Sequence, residues 1–98
     1  MTPRTQLVVL AVAGAYGLPV GVLSRPSGRS EGTVLAARQT LCRLLREVLG
    51  YRFREVQAEL AISYGSAHRW ATAFEEPPQR ATRQALAINL HLLLTARA

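Results

Sequence analysis

Apolar residues recur along much of the chain at spacings of three and four, the period of an amphipathic helix. The sharpest case is residues 53–74, FREVQAELAISYGSAHRWATAF. Val56, Leu60 and Ile62 form one stripe, and Ala67, Trp70 or Ala71, and Phe74 form a second after a corner. This spacing predicts two short helices joined by a tight turn, the arrangement by which many small bacterial proteins place one helix in the major groove of DNA. Ser63 stands at the corner as an N-cap, its hydroxyl placed to accept from an early amide of the second helix. Ser66, His68 and Arg69 then fall on or near the outward first turns of that helix, where side chains of a recognition helix meet base edges and phosphates. The same geometry also occurs as plain packing, with Trp70 read as a core aromatic and Tyr64 as a solvated turn residue.

The remaining pattern supplies four more elements. Pro3 through Tyr16 reads as a helix, with Pro3 tolerated in the first turn and Gly17 ending it. A short helical turn follows Pro19 and carries Val20 and Leu23 inward. Ser24 to Thr33, SRPSGRSEGT, is a loop by its prolines and glycines. A long helix runs from about Thr33 to Leu49 and stops at Gly50. Glu75 to Pro78 breaks the chain, and Gln79 to Thr95 makes a last helix with Leu86, Leu90 and Leu93 on one stripe. In the long helix, Arg38 occupies the step before Cys42, Leu45 and Leu49 on the apolar stripe. Either its guanidinium snorkels from the core edge, towards Glu31, or it meets a phosphate at the helix N-terminus. The expected fold is all-α, about six helices in one domain spanning residues 1–98.

Charge points to the partner. The net charge is +6, from 12 basic residues, every one Arg, against six acids, every one Glu, and the isoelectric point is about 11.1. Such a balance suits a polyanion, and exposed guanidinium favours forked contacts with phosphate and guanine. A GC-rich genome alone also yields Arg without Lys. Cys42 is the single cysteine, so it makes no internal disulfide, and with only His68 and His91 elsewhere it makes no zinc site; it reads as a small buried hydrophobe in a reducing cytoplasm. Arg4 followed by LVVLAVAGA imitates a secretory signal, but the run is far below the ~18 residues that span a bilayer. Cutting after Ala15 would also remove a helix the core needs. The expected location is therefore cytoplasmic, on the nucleoid, with no membrane partner. With no Lys and no Asp in the chain, there is no nucleotide-cradling loop and no acid to orient a histidine. No enzymatic activity, metal or cofactor is expected.

From Leu7 to about Phe74 the order of motifs resembles the C-terminal DNA-binding domain of the bacterial replication initiator DnaA. The features are an apolar helix ending near AYGLPVGVL (Ala15 to Leu23), a basic loop, the Ala37-Arg38-Gln39 step opening a long helix, Leu44 to Glu47, Gly50, and the Glu55-Val56 start of the helix-turn-helix. The resemblance covers roughly four fifths of the chain and implies a compact helix-turn-helix domain of the Trp-repressor-like type. It implies that Arg25 or Arg29 of the basic loop enters the minor groove, that Arg38 and Gln39 bind phosphate, and that Arg46 makes a further phosphate contact. The family's stretch glycine-glycine-basic-Asp-His-Thr-Thr-Val is replaced by AISYGSAHR (Ala61 to Arg69), which puts Tyr64 and Gly65 where the base-reading Asp and His stand and keeps a hydroxyl only at Ser66.

Losing base-reading groups costs ~1–3 kcal/mol per good bidentate contact, so the initiator's usual box is not the expected target. A different operator, read by Tyr64, Ser66, His68 and Arg69, is expected instead. The resemblance lacks the initiator's ATPase and implies a stand-alone transcription regulator. Small proteins of this kind occur in alphaproteobacteria among regulators of phage-derived gene clusters, including gene transfer agents. With ~4 phosphates neutralised, log affinity should fall with log salt at a slope near −4. Two rivals stay open. One is an interaction module of the same fold that docks on RNA polymerase or another regulator; the other, a single-strand or RNA binder, is disfavoured by the scarcity of aromatics near the basic residues. A monomer this small covers few base pairs, so a homodimer, paired sites or a partner is called for. Leu90, Leu93 and Leu94 either supply a dimer face or close the core.

Overall fold

Thr2 starts the first helix. Its backbone is extended and its hydroxyl accepts from the Thr5 amide at 3.2 Å, which satisfies one of the amides a helix start leaves open. In the computed structural model, which describes residues 1–24 and 32–96, helix α1 (Pro3–Tyr16) follows, with Pro3 in its first turn. It ends at Gly17, whose φ of 65° is left-handed, while the Leu18 amide returns to the Ala13 carbonyl at 2.9 Å, a closure that favours glycine. Helix α2 (Val20–Ser24) is short and delivers Leu23 to the core.

Helix α3 (Gly32–Leu49) packs against all five other helices. The sequence explains why. Ala37, Thr40, Leu41, Cys42, Leu44 and Leu45 are all buried, a face too wide for a helix lying on one side of a core and suited to one surrounded by partners. Gly50 stops it with φ 70°, and the Tyr51 amide bonds the Leu45 carbonyl at 3.2 Å. Helix α4 (Phe53–Leu60) starts reciprocally: the Arg52 amide donates to Glu55 Oε1 at 3.0 Å and the Glu55 amide to the Arg52 carbonyl at 2.9 Å. Residues 61–63 turn the chain into α5 (Tyr64–Thr72), and α6 (Pro77–Ala96) closes the bundle against α3 and α1. Pro77 and Pro78 fit its first turn, where no intrahelical amide is needed, so the helix begins two residues before the expected Gln79.

The described residues form six helices and no strand, an all-α architecture. One apolar cluster holds it together, built on Val8, Val12, Leu41, Leu45, Val56, Trp70 and Leu90 among others. No helix of the described residues is long and apolar enough to cross a membrane.

Two expectations about apolar residues are corrected. Phe74 does not extend the second stripe of the helix-turn-helix: it is 75% exposed, because Ala73 leaves the helical region with ψ 151° and the periodicity ends before Phe74 is reached. On α6, Leu90 is buried and closes the core, Leu94 is half-buried, and Leu93 turns outward. Leu90 is therefore unavailable as part of a dimer face.

Polar networks that no periodicity announces tie the helices. Glu59 Oε1 accepts from the Thr2 amide at 2.9 Å and from the Thr5 hydroxyl, whose oxygen also lies 2.9 Å from the Tyr51 hydroxyl. These bonds, the Thr5 hydroxyl first and the Thr2 amide next, hold the Glu59 carboxyl below its ordinary range. At the α5–α6 junction Glu75 is only 6% exposed. Its carboxylate accepts two bonds from Arg83 Nε, at 3.0 and 2.8 Å, and lies 3.5 Å from Arg43 Nε. Arg83 reaches Glu47 with its other arm at 2.6 Å.

Candidate nucleic-acid interface

The recognition-helix candidate is held at both ends. Ser63, extended at φ −72° and ψ 155°, accepts from the Ser66 amide at 3.0 Å, and its hydroxyl donates to Ser66 Oγ at 2.9 Å. At the far end the Arg43 guanidinium donates to the Ala73 carbonyl while standing beside Glu75. Ala67, Trp70 and Ala71 turn inward. The opposite face then follows from 3.6 residues per turn: Tyr64, Gly65, His68, Arg69 and Thr72 are all exposed, with Ser66 half-buried at their edge. Arg69 leans back towards Ser66 Oγ at 3.4 Å. The turn itself carries strain, because Ala61 adopts φ 54°, a conformation that costs a residue with a Cβ about 1 kcal/mol.

Beside this face lies the C-terminal part of α3. Arg46 is exposed, and its guanidinium carbon sits 3.8 Å from the centroid of the Phe53 ring, well inside the range of cation–π attraction. Phe53 also meets α5, with ring centroids 4.8 Å from His68 and 6.1 Å from Tyr64. Thus α3, α4 and α5 each contribute to one surface. Among the described residues, no carboxylate lies within ion-pair distance of Arg46, Arg54 or Arg69. A guanidinium stacked by its face keeps its N–H edges directed outward, the geometry a phosphate oxygen requires.

The start of α3 departs from expectation. Arg38, expected to meet a phosphate there, is only 4% exposed. Its guanidinium donates to the Val22 carbonyl at 3.1 Å and lies 5.6 Å from the Trp70 ring. The cause is its place on the same face as Leu41, Cys42 and Leu45: the side chain enters beneath α2, where a carbonyl and an indole face replace water. Gln39, the second expected phosphate ligand, is half-buried and accepts from Gln79 Nε2 at 3.1 Å, joining α3 to α6. Arg25 and Arg29, the candidates for the minor groove, lie outside the described residues, as does Glu31.

Cys42 is fully buried, and burial pushes its thiol up to about 12 despite the opposing charge of Arg38. A thiol so placed has essentially no reactive thiolate near neutral pH. No group of three or more His, Cys, Asp or Glu side chains that could hold a metal ion occurs among the described residues.

Sequence reasoning missed Phe53 and Glu75. Phe53 and Arg46 flank the Gly50 turn, so no helical spacing links them, and Glu75 sits in a Glu-Glu-Pro-Pro segment that reads as a chain break. The one available signal was the abundance of Arg near Glu75 on α3 and α6, visible only once those helices are placed together. No protein-family model, curated protein or solved structure matches this chain.

Proposed function

We propose that the chain is a sequence-specific double-stranded DNA-binding protein acting as a regulator of transcription. The observation that carries this reading is the surface made by the outward face of α5 and the end of α3. It combines Tyr64, Ser66, His68 and Arg69 with Arg46 stacked on Phe53, and no carboxylate neutralises its arginines. The net charge of +6 and the resemblance to the initiator's DNA-binding domain support it independently.

In this reading α5 enters the major groove, where Ser66, His68 and Arg69 offer donors and acceptors to base edges and Tyr64 adds an apolar edge. Arg46 and Arg69 bind phosphate and fix the register. Arg25 or Arg29 reaches the neighbouring minor groove. Gln39 contributes its amide nitrogen beside its bond to Gln79, whereas Arg38 acts from within, holding α2 on the core. Selection of genomic DNA fragments by the purified protein at ~150 mM salt, followed by sequencing, tests this. A sharp motif that is lost with Arg46→Ala and Arg69→Ala supports it, and the same weak, motif-free recovery for both proteins overturns it.

The outer side of α6 favours a second reading. Ile88 and Leu92 are 63% and 65% exposed and Leu93 stands beside them, a patch suited to a protein partner such as RNA polymerase or a co-regulator. In that case the Arg46 and Arg69 substitutions leave regulation intact, and polar substitution of Ile88 and Leu92 abolishes it.

A further inference from the structure

We infer that Phe53 is a positioning residue for DNA binding, setting Arg46 and His68 as one unit before DNA arrives. The inference rests on the reading above. Arg46 is a long, exposed side chain at the last turn of α3, and its free rotamers would have to be frozen on binding a phosphate. Holding one such side chain in its bound geometry in advance removes a penalty worth about a three- to tenfold change in affinity. The ring at 3.8 Å from the guanidinium carbon supplies that hold. The same ring lies 4.8 Å from His68, so the phosphate-facing group of α3 and the base-facing group of α5 are set by one side chain of α4. Phe53 is half-buried and also packs on the core cluster, which fixes the ring and makes it a firm support rather than a second mobile group.

The roles of ring and bulk are separable. Phe53→Leu keeps an apolar side chain on the core but removes the π face, and Phe53→Tyr restores the ring. The probe is a mixed-sequence duplex of about 20 base pairs at low salt, with affinity measured for the parent, Phe53→Leu, Phe53→Tyr, Arg46→Ala and the Phe53→Leu, Arg46→Ala pair. In the free protein, the chemical shifts of the Arg46 δ-methylene protons report ring stacking directly. The expected result is about three- to tenfold weaker binding for Phe53→Leu, recovery with Tyr, and a much smaller effect of Phe53→Leu once Arg46 is gone. An upfield shift of the δ-methylene protons should disappear with Phe53→Leu. Equal losses in the two backgrounds, or unchanged δ-methylene shifts, would overturn the positioning role while leaving the DNA reading standing. Unchanged affinity for both Arg46→Ala and Arg69→Ala would overturn the DNA reading, and this inference with it.

Discussion

Arg38 and Arg46 lie on the same helix, eight positions apart, about 12 Å along the axis and about 80° around it. Both guanidinium groups approach an aromatic ring, Trp70 for one and Phe53 for the other. Yet Arg38 is buried with its donor committed to the Val22 carbonyl, whereas Arg46 is exposed on its ring. The rotation alone separates them: position 38 points between α2 and α5, and position 46 has passed the edge of the core. One residue type with one kind of partner therefore serves two ends. Inside, the aromatic face replaces solvent around a structural cation; outside, it restrains a cation whose N–H edges remain available. The same division runs through the other arginines, with Arg43 and Arg83 turned inward on Glu75 and Arg54 and Arg69 turned outward.

The comparison is broken most forcefully at Glu75. Glu75→Gln keeps the shape but leaves Arg43 and Arg83 without their buried counter-charge, and stability measured by denaturant unfolding should fall by about 3 kcal/mol. Arg38→Met comes next. It preserves the stem but strips the charged donor from the Val22 carbonyl, and a loss of about 2 kcal/mol is expected, while the folded fraction binds duplex DNA as the parent does. Arg46→Ala should show the opposite pattern, with stability within about 0.5 kcal/mol of the parent. If Arg38→Met weakened DNA binding as much as Arg46→Ala without unfolding the protein, the division into inward and outward cations would be wrong. Ser63→Ala removes the cap that seats the outward face, costing about 1 kcal/mol in the same unfolding experiment.

The smallest effect concerns pH. The folded-state value of Glu59 is depressed, chiefly by the Thr5 hydroxyl and then by the Thr2 amide. Its contribution is therefore fully present above the ordinary carboxylate range and is lost as pH falls through the depressed value. The melting temperature of the parent should decline between about pH 6 and pH 2 more steeply than that of Glu59→Gln. Parallel curves would show that the α1–α4 tie contributes nothing to stability.

The helices were legible in the sequence because local signals announce them. Thr2 and Ser63 cap where side-chain oxygens can reach amides, Gly17 and Gly50 end helices at left-handed positions, and Val56, Leu60, Ala67 and Trp70 repeat at helical spacing. What was not legible depends on tertiary geometry. An Arg on an apolar stripe is compatible with either snorkelling or phosphate binding, and only the placement of α2 and Trp70 decides that Arg38 goes inward. Phe74 was misplaced because a helical period was continued across Ala73, whose extended backbone no local signal foretold. The aromatic support under Arg46 spans a turn, and the Glu75 cluster joins α3, the α5–α6 junction and α6, so neither leaves a repeat along the chain. The outward face of α5 was anticipated residue by residue, since an N-cap at Ser63 fixes the phase of everything after it.

The central claim, that the face of α5 with Arg46 binds duplex DNA through its phosphates, is tested most directly by the salt dependence of duplex affinity. The measurement compares the parent with the Arg46→Ala, Arg69→Ala double variant over a range of salt concentrations. The account predicts a log–log slope near −4 for the parent, made shallower by about 2 in the double variant, with both proteins equally folded. A nearly flat slope for the parent, or identical slopes for the two proteins, would contradict it.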